Sequence, residues 1–201
     1  MTLDLVLRLG ALAALVASAA ISGYYRTRAA REGGALPPPP ADQPTVQARA
    51  AFGILLLGLL VQAVAAPRSA PWLMVDLALT VRIVGLGVAV LAVPLVWWIF
   101  RSIGTSVSES SATRQGATLV THGPYRWVRH PLYSAVTAAL AGVAVALRSL
   151  GMILLLGAVL LWLPGRVRNE ERHLVASYGD RYRNYARRTG RFIPRLLSRR
   201  R

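Results

Sequence analysis

The segment Leu132–Pro164, LYSAVTAALAGVAVALRSLGMILLLGAVLLWLP, decides the fold of this protein. It is an almost unbroken apolar run, interrupted only at Arg148-Ser149. One membrane crossing takes about 20 residues, so this run is too long for a single span. We therefore predict two short helices that form a hairpin with Arg148 at its tip.

Three other segments are apolar enough to enter a membrane: Leu3–Tyr25, Ala50–Ala66 and Leu77–Phe100. The chain is 54% hydrophobic, which is more than an ordinary soluble domain contains. The first segment precedes a basic cluster, which is the charge order of a membrane anchor and not of a signal peptide. The sequence thus predicts an all-α polytopic membrane protein with about five transmembrane helices and a cytoplasmic C-terminal helical segment. Gly85 and Gly87 are predicted points of close helix contact.

The arginines predict how the chain crosses the membrane. The first, third and last polar segments are rich in arginine, whereas the second holds only Arg68 and the hairpin tip only Arg148. Loops rich in basic residues stay in the cytoplasm, so five spans place the N-terminus outside and the C-terminus inside.

The net charge of +16 restricts the partners of the protein. Such a charge is typical of proteins that bind nucleic acid or anionic lipid, and the long apolar runs favour lipid. The chain has no cysteine, which excludes disulfides and thiolate chemistry. Because the apolar runs favour lipid, we expect no nucleic-acid partner. His122 and His130 are eight residues apart with no third ligand near them in the sequence, so we expect no metal site.

The polar stretch Thr121–Ala135, THGPYRWVRHPLYSA, immediately precedes and enters the hairpin. Arginine, tryptophan and tyrosine are common interfacial anchors, and proline often starts a helix. Pro131 would expose free N–H groups at a helix start, and with Pro124 it would make the segment rigid. These features favour a preorganised pocket.

A second polar stretch follows the last span and contains the adjacent acids Glu170 and Glu171. Its arginine spacing predicts a helix that continues from the span and ends near Gly179. Most of its arginines fit an amphipathic helix on anionic headgroups. The acid pair does not fit, because anionic headgroups repel acids, so we predict a cationic partner for it.

Together these stretches resemble the isoprenylcysteine carboxyl methyltransferase family and its bacterial relatives. The resemblance rests on LVTHGPYRWVRHPLY at Leu119–Tyr133 and NEERHLVASYGDRYRNYARRTGRFIP at Asn169–Pro194, with weaker support from RSIGTSVSES at Arg101–Ser110. It implies an integral membrane methyltransferase that uses S-adenosyl-L-methionine, here expected in a bacterial inner membrane. We accordingly divide the chain into N-terminal transmembrane helices with a linker, 1–100, and a cofactor-binding region, 101–201.

The resemblance also implies roles for particular residues. The first block would hold the cofactor through His122, Gly123, Tyr125, His130, Pro131 and Tyr133. The acids Glu170 and Glu171 would lie near its ammonium group, without a choice between them, and Tyr182, Tyr185 and Arg191 would close over it. The predicted catalytic residues are Arg166, Arg168 and Glu170. An arginine, Arg166, Arg168 or Arg126, would orient an acidic acceptor by forked hydrogen bonds.

Methyl transfer from a sulfonium requires alignment of the reacting atoms and no metal. The expected acceptor is lipophilic, with carboxyl O-methylation of an isoprenylcysteine-like or lipid acid favoured over an isoprenoid, a small thiol or a phospholipid amine. Two alternatives remain open at this point. One is a membrane scaffold with a basic lipid-binding tail, and the other is an enzyme that resembles the NADPH-dependent sterol reductases.

Overall fold

The structure, a computed structural model, describes residues 2–33, 43–104 and 119–195. The described residues form six α-helices, and their order along the chain is α1 Leu3–Gly33, α2 Gln43–Ala65, α3 Leu79–Ile103, α4 Pro131–Ala146, α5 Leu150–Tyr178 and α6 Asp180–Arg188. Short 3₁₀ turns at Pro71–Leu73 and Gly123–Arg126 join them. The all-α prediction is confirmed: the described part of the chain has no strand beyond two isolated bridges.

The predicted hairpin is confirmed, with its turn between α4 and α5. Arg148 takes a left-handed backbone conformation with a φ of 59°. The Ser149 side chain accepts a hydrogen bond of 3.3 Å from the Met152 amide and caps α5. Arg148 also donates to the Val75 carbonyl oxygen at 2.9 Å, which ties the tip to the α2–α3 connection. A capped, tethered turn therefore separates the two short helices.

Helices α3 and α4 pack closely because two glycines face each other. A β-carbon at Gly142 would lie 2.5 Å from the Gly85 carbonyl oxygen and 2.8 Å from the Ala89 amide. The predicted close contact at Gly85 is thus confirmed. The prediction for Gly87 was wrong, since an added β-carbon there meets nothing within 4 Å. Sequence spacing alone does not reveal which glycine faces a neighbouring helix.

An ionic network joins α1 to α3 near their N-terminal ends. Arg82 is only 8% exposed, and its guanidinium donates to the Asp4 carboxylate at 2.5 Å and to the Ala146 carbonyl oxygen at 3.2 Å. Arg8, one turn beyond Asp4, pairs with the same carboxylate. Charged side chains at membrane depth are stable only when paired in this way, so the network fixes α1 against the α3–α4 pair.

The helices have the lengths and compositions of a polytopic membrane protein. Helices α1, α3 and α5 are long and apolar enough to cross a bilayer, and two shorter apolar helices lie at Ala50–Ala65 and Pro131–Ala146. With 29 residues, α5 is about 43 Å long and exceeds a hydrocarbon core of about 30 Å. It runs through Pro164 without ending, so its polar C-terminal part projects beyond the apolar layer, as predicted.

A cluster of buried side chains near the C-terminal ends of α1 and α3 leads to the candidate site. It contains the buried side chains Ala29, Val96, Ile99, Phe100 and Ala135, from α1, α3 and α4. Tyr25 stacks on Phe100 with ring centroids 5.8 Å apart. This packing holds the first turns of α4 in a fixed position beside the end of α3.

Candidate functional site

The stretch before α4 folds into a 3₁₀ turn, Gly123–Arg126, with Pro124 in its first positions. Gly123 has a φ of 59°, and a β-carbon at this position would collide with the Ser102 side chain at the end of α3. Only glycine meets both conditions, because a side chain would be strained and would lack space. The turn is thereby held against α3.

The C-terminal segment returns to pair with this stretch. The Arg129 amide donates to the Gly190 carbonyl oxygen at 2.8 Å, and the His130 amide donates to the Arg191 carbonyl oxygen at 3.0 Å. In the other direction, the Gly190 amide donates to the Trp127 carbonyl oxygen at 3.1 Å. Two parts of the chain about 60 residues apart are therefore in fixed register.

The Arg129 side chain is the centre of the contacts between these parts. Its Nε donates to Glu171 Oε1 at 2.9 Å. Its Nη1 donates to the carbonyl oxygens of Ala186 at 2.7 Å and Thr189 at 2.6 Å. Because Arg129 is only 11% exposed, this one guanidinium links α5 and α6 to the start of α4 away from water.

Glu171 is surrounded by protein donors. Besides Arg129, Arg191 donates to Glu171 Oε2 at 2.6 Å, and His130 Nε2 lies 3.4 Å from Oε1. The Glu171 side chain is 14% exposed. With both carboxylate oxygens bound to guanidinium groups, its charge is balanced within the protein.

Glu170 has a different environment although it is the adjacent residue. Its Oε2 accepts a hydrogen bond of 2.9 Å from the Tyr133 hydroxyl, and its Oε1 lies 3.9 Å from His130 Nδ1. Its side chain is 30% exposed, twice as much as that of Glu171. Within the described residues, no guanidinium group forms an ion pair with Glu170 at 4 Å or less, so it is the acid that is available to an external cation.

Three tyrosines surround the same region from two elements. Tyr185 donates a 2.7 Å hydrogen bond to the Tyr125 carbonyl oxygen, and the rings of Tyr182 and Tyr185 lie 6.0 Å apart. Burial raises the pKa of the Tyr185 hydroxyl to about 12 and raises the pKa of Tyr125 and Tyr182 above its ordinary value. All three remain neutral phenols at physiological pH, so they offer hydroxyl groups and apolar ring faces.

The structure brings most of the predicted site residues to one end of the bundle. Those gathered around the start of α4 are Gly123, Tyr125, His130, Pro131, Tyr133, Glu170, Glu171, Tyr182, Tyr185 and Arg191. His122 is exposed, and its backbone carbonyl accepts from the Tyr125 amide at 3.2 Å. Most of Arg101–Ser110 lies outside the described residues.

The predicted acceptor-binding arginines lie in different places. Arg166 lies beside the Tyr133 hydroxyl, one helical turn before Glu170. Arg168 is about 200° further around α5 and faces a groove toward α6. Arg126 is exposed and packs over the Trp127 ring at 4.7 Å. Of the three, Arg166 shares the side of α5 that carries Glu170.

Two residues with central contacts were missed by sequence reasoning. In the sequence, Arg129 is only one of the arginines of the third polar segment and Ser134 has no assigned role, yet the Ser134 hydroxyl donates to the Phe192 carbonyl oxygen at 2.6 Å. The sequence does contain a signal for an ion pair at Arg129, because this arginine lies just before a helix and the chain has an acid pair further on. The two backbone carbonyl oxygens that Arg129 bonds could not be predicted from the sequence, because every residue has a carbonyl group.

Comparison with known proteins identifies the class to which this fold belongs. The fold resembles that of the eukaryotic intramembrane Ras methyltransferase, isoprenylcysteine carboxyl methyltransferase, with a TM-score of 0.59 and 24% identity. The match covers 72% of this chain and 52% of that protein. That protein is an integral membrane methyltransferase, and this chain shares its fold. The chain belongs to the phospholipid methyltransferase family, whose model matches residues 80–181, half of the chain.

Two bacterial relatives share part of the sequence. The cobalt-zinc-cadmium resistance protein CzcN of Cupriavidus metallidurans is 39% identical over 84 residues, and the nickel-cobalt-cadmium resistance protein NccN of Alcaligenes xylosoxydans xylosoxydans is 37% identical over 84 residues. These matches cover 41% of this chain and span 38% and 39% of the two relatives. Within the residues that the structure describes here, no group of three histidine, aspartate or glutamate side chains is placed to hold a metal ion.

Proposed function

We propose that this protein transfers a methyl group from S-adenosylmethionine to a lipophilic acceptor at the membrane interface. The observation that carries the proposal is the unequal environment of the acid pair. Glu171 is bound by Arg129 and Arg191, whereas Glu170 keeps an accessible carboxylate beside His130 and Tyr133. In a protein of a methyltransferase family, this carboxylate is suited to the ammonium group of the methyl donor.

The residues around Glu170 fit such a cofactor in chemistry. A carboxylate with few protein donors suits an ammonium group, and neutral tyrosines offer ring faces and hydroxyls to an adenosine. We propose that the cofactor is held by nine of the eleven residues that the family resemblance implies: His122, Gly123, Tyr125, His130, Pro131, Tyr133, Glu170, Tyr182 and Tyr185. Glu171 and Arg191 are proposed to shape this site through their mutual ion pair.

The other role of the chain in the proposed reaction is to align the acceptor with the methyl group. When bound, S-adenosylmethionine supplies a methyl group attached to a sulfonium, whose sulfur is a good leaving group. Arg166 lies next to Tyr133 on the Glu170 side of α5 and is proposed to orient an anionic acceptor. A carboxylate acceptor needs no general base, so we favour an isoprenylcysteine-like or lipid acid, and we place the reaction at the cytoplasmic side of the bacterial inner membrane.

Purified protein in detergent is expected to bind S-adenosylhomocysteine with micromolar affinity and to unfold at a higher temperature in its presence. Calorimetry and thermal unfolding measure these effects. In parallel, membranes that contain the protein are incubated with a labelled methyl donor, and the labelled lipid fraction is identified by mass spectrometry. The absence of binding at millimolar ligand would exclude the proposed cofactor. Binding without any labelled product would leave the cofactor in place but contradict the lipophilic acceptor.

The two ends of the chain are expected on opposite sides of the membrane. The arginine-rich segments alternate with arginine-poor ones, and five apolar helices give an odd number of crossings. Fusions of alkaline phosphatase and of a fluorescent protein at each end test this arrangement, since the first is active only outside and the second only inside. Activity of the same reporter at both ends would rule out five spans.

A further inference from the structure

A groove lined by four arginines lies between α5 and α6. Its volume is about 620 Å³. One wall carries Arg168 and Arg172 of α5, and the other carries Arg183 and Arg187 of α6. Arg168 is on the opposite side of α5 from Arg166 and Glu170, so the groove is separate from the available carboxylate.

The charge of this groove is poorly balanced. Arg183 pairs with Asp180 at 2.9 Å, whereas Arg172 and Arg187 contact only the neutral side chains of Asn169 and Asn184. Within the described residues, Arg168 makes no side-chain hydrogen bond or ion pair. Glu171 also lines the groove, but its charge is already balanced by Arg129 and Arg191. A concave surface with this excess of guanidinium groups attracts an anion with several acceptor oxygens.

Tyr182 places an unpaired polar group in the wall of the groove. It lines the groove, is 3% exposed, and its hydroxyl is buried without a hydrogen-bond partner among the described residues. A buried hydroxyl without a partner is unfavourable and uncommon in folded proteins. A phosphate oxygen that enters the wall of the groove beside Tyr182 would supply the acceptor that this hydroxyl lacks.

The depth of the groove indicates the source of the anion. The apolar run of α5 ends at Leu163, and Arg168 follows five residues later, about 8 Å further along the helix. The headgroup layer of a bilayer begins where the hydrocarbon ends and is several ångströms thick. The first arginine of the groove is therefore near the outer edge of the headgroup layer, from which its long side chain can reach a lipid phosphate.

We propose that this groove binds the phosphate group of one anionic phospholipid from the surrounding membrane. The lipid would fasten α6 to α5 and would not take part in methyl transfer. The groove shares Tyr182 with the proposed cofactor site, but Arg168 and Arg172 lie on the side of α5 that faces away from Glu170. The lipid proposal rests on these arginines and does not depend on the proposed reaction.

The test measures lipid binding by the full-length protein in an uncharged detergent. Phosphatidylglycerol and phosphatidylcholine with the same acyl chains are titrated, and bound lipid is counted by native mass spectrometry. We expect one retained phosphatidylglycerol and a raised unfolding temperature, and neither effect with phosphatidylcholine. The double variant Arg172→Gln/Arg187→Gln, with one change on each wall, is expected to bind phosphatidylglycerol about ten-fold or more weakly.

The matched control is Arg181→Gln/Arg188→Gln, which removes the same charge from exposed positions that do not line the groove. We expect its affinity to stay close to that of the parent. Equal weakening in both double variants would show general attraction to acidic lipid and overturn the proposal. Without phosphatidylglycerol, Tyr182→Phe should be at least as stable as the parent. The lipid should raise its unfolding temperature by less than it raises that of the parent, because the hydroxyl that would bond the phosphate is absent.

Two further measurements distinguish other occupants. Inorganic phosphate that binds as tightly as phosphatidylglycerol would overturn the assignment to a lipid. Displacement of phosphatidylglycerol by S-adenosylhomocysteine would assign the groove to the cofactor and would also overturn it. Simultaneous binding of both, with loss of only the lipid in Arg172→Gln/Arg187→Gln, is the result that the proposal expects.

Discussion

Arg129→Gln is expected to detach the C-terminal segment and to lower the free energy of unfolding by about 3–5 kcal/mol. The change removes one guanidinium that bonds Glu171 and two carbonyl oxygens of α6 and its end. It also leaves the Glu171 carboxylate, which is 14% exposed, with one guanidinium fewer. Thermal unfolding in detergent and limited proteolysis after Tyr178 measure the two consequences.

The control for this variant is Arg126→Gln, three residues earlier in the same stretch. Arg126 is exposed and contacts the face of Trp127, an interaction worth about 0.5–1 kcal/mol at such a site. Arg129→Lys keeps the charge but lacks the planar fork that reaches several acceptors, so we expect intermediate stability. If Arg129→Gln unfolds and is cleaved like the parent, the C-terminal segment is held by its backbone pairing and not by this side chain.

Glu170→Gln is expected to weaken S-adenosylhomocysteine binding by about ten- to a hundred-fold, while the protein stays folded. The variant keeps the shape of the side chain and an oxygen that accepts from the Tyr133 hydroxyl, but it removes the negative charge proposed to bind the ammonium group. Calorimetry gives the affinity, and thermal unfolding without ligand shows whether the fold is intact. Exposed ion pairs typically contribute less than 1 kcal/mol, so a purely structural role would give a far smaller effect.

Asp180→Asn is the matched control because it removes an equal charge from an exposed acid that pairs with Arg183. We expect this variant to bind like the parent. Glu171→Gln should instead lower stability, since Glu171 bonds two guanidinium groups. Unchanged affinity in a folded Glu170→Gln protein would show that the ammonium group is bound elsewhere.

The sequence predicted the helices well because membrane helices are specified locally. An apolar run of sufficient length forms a helix in lipid, and an interruption such as Arg148-Ser149 marks a turn. The hairpin, the continuation of α5 through Pro164 and its end at Gly179 are all confirmed. The resemblance to a methyltransferase family likewise rested on contiguous residues that can be read along the chain.

The roles of adjacent residues could not be predicted in this way. Glu170 and Glu171 are identical in type and lie about 100° apart on one helix, so only the packing of α4 and α6 decides which one is enclosed. The same applies to Arg166 and Arg168, of which one lies beside Tyr133 and the other lines the groove.

The sequence by itself determined the family resemblance, the apolar helices and the two polar stretches that meet at one end of the bundle. The tertiary structure alone decided how these stretches meet. Arg129 reaches partners 42 to 60 residues away, and the pairing of Gly190 with Arg129 sets their register. Such contacts depend on the directions in which helices leave the membrane and on backbone carbonyls that every residue shares, so no local pattern of residue types specifies them.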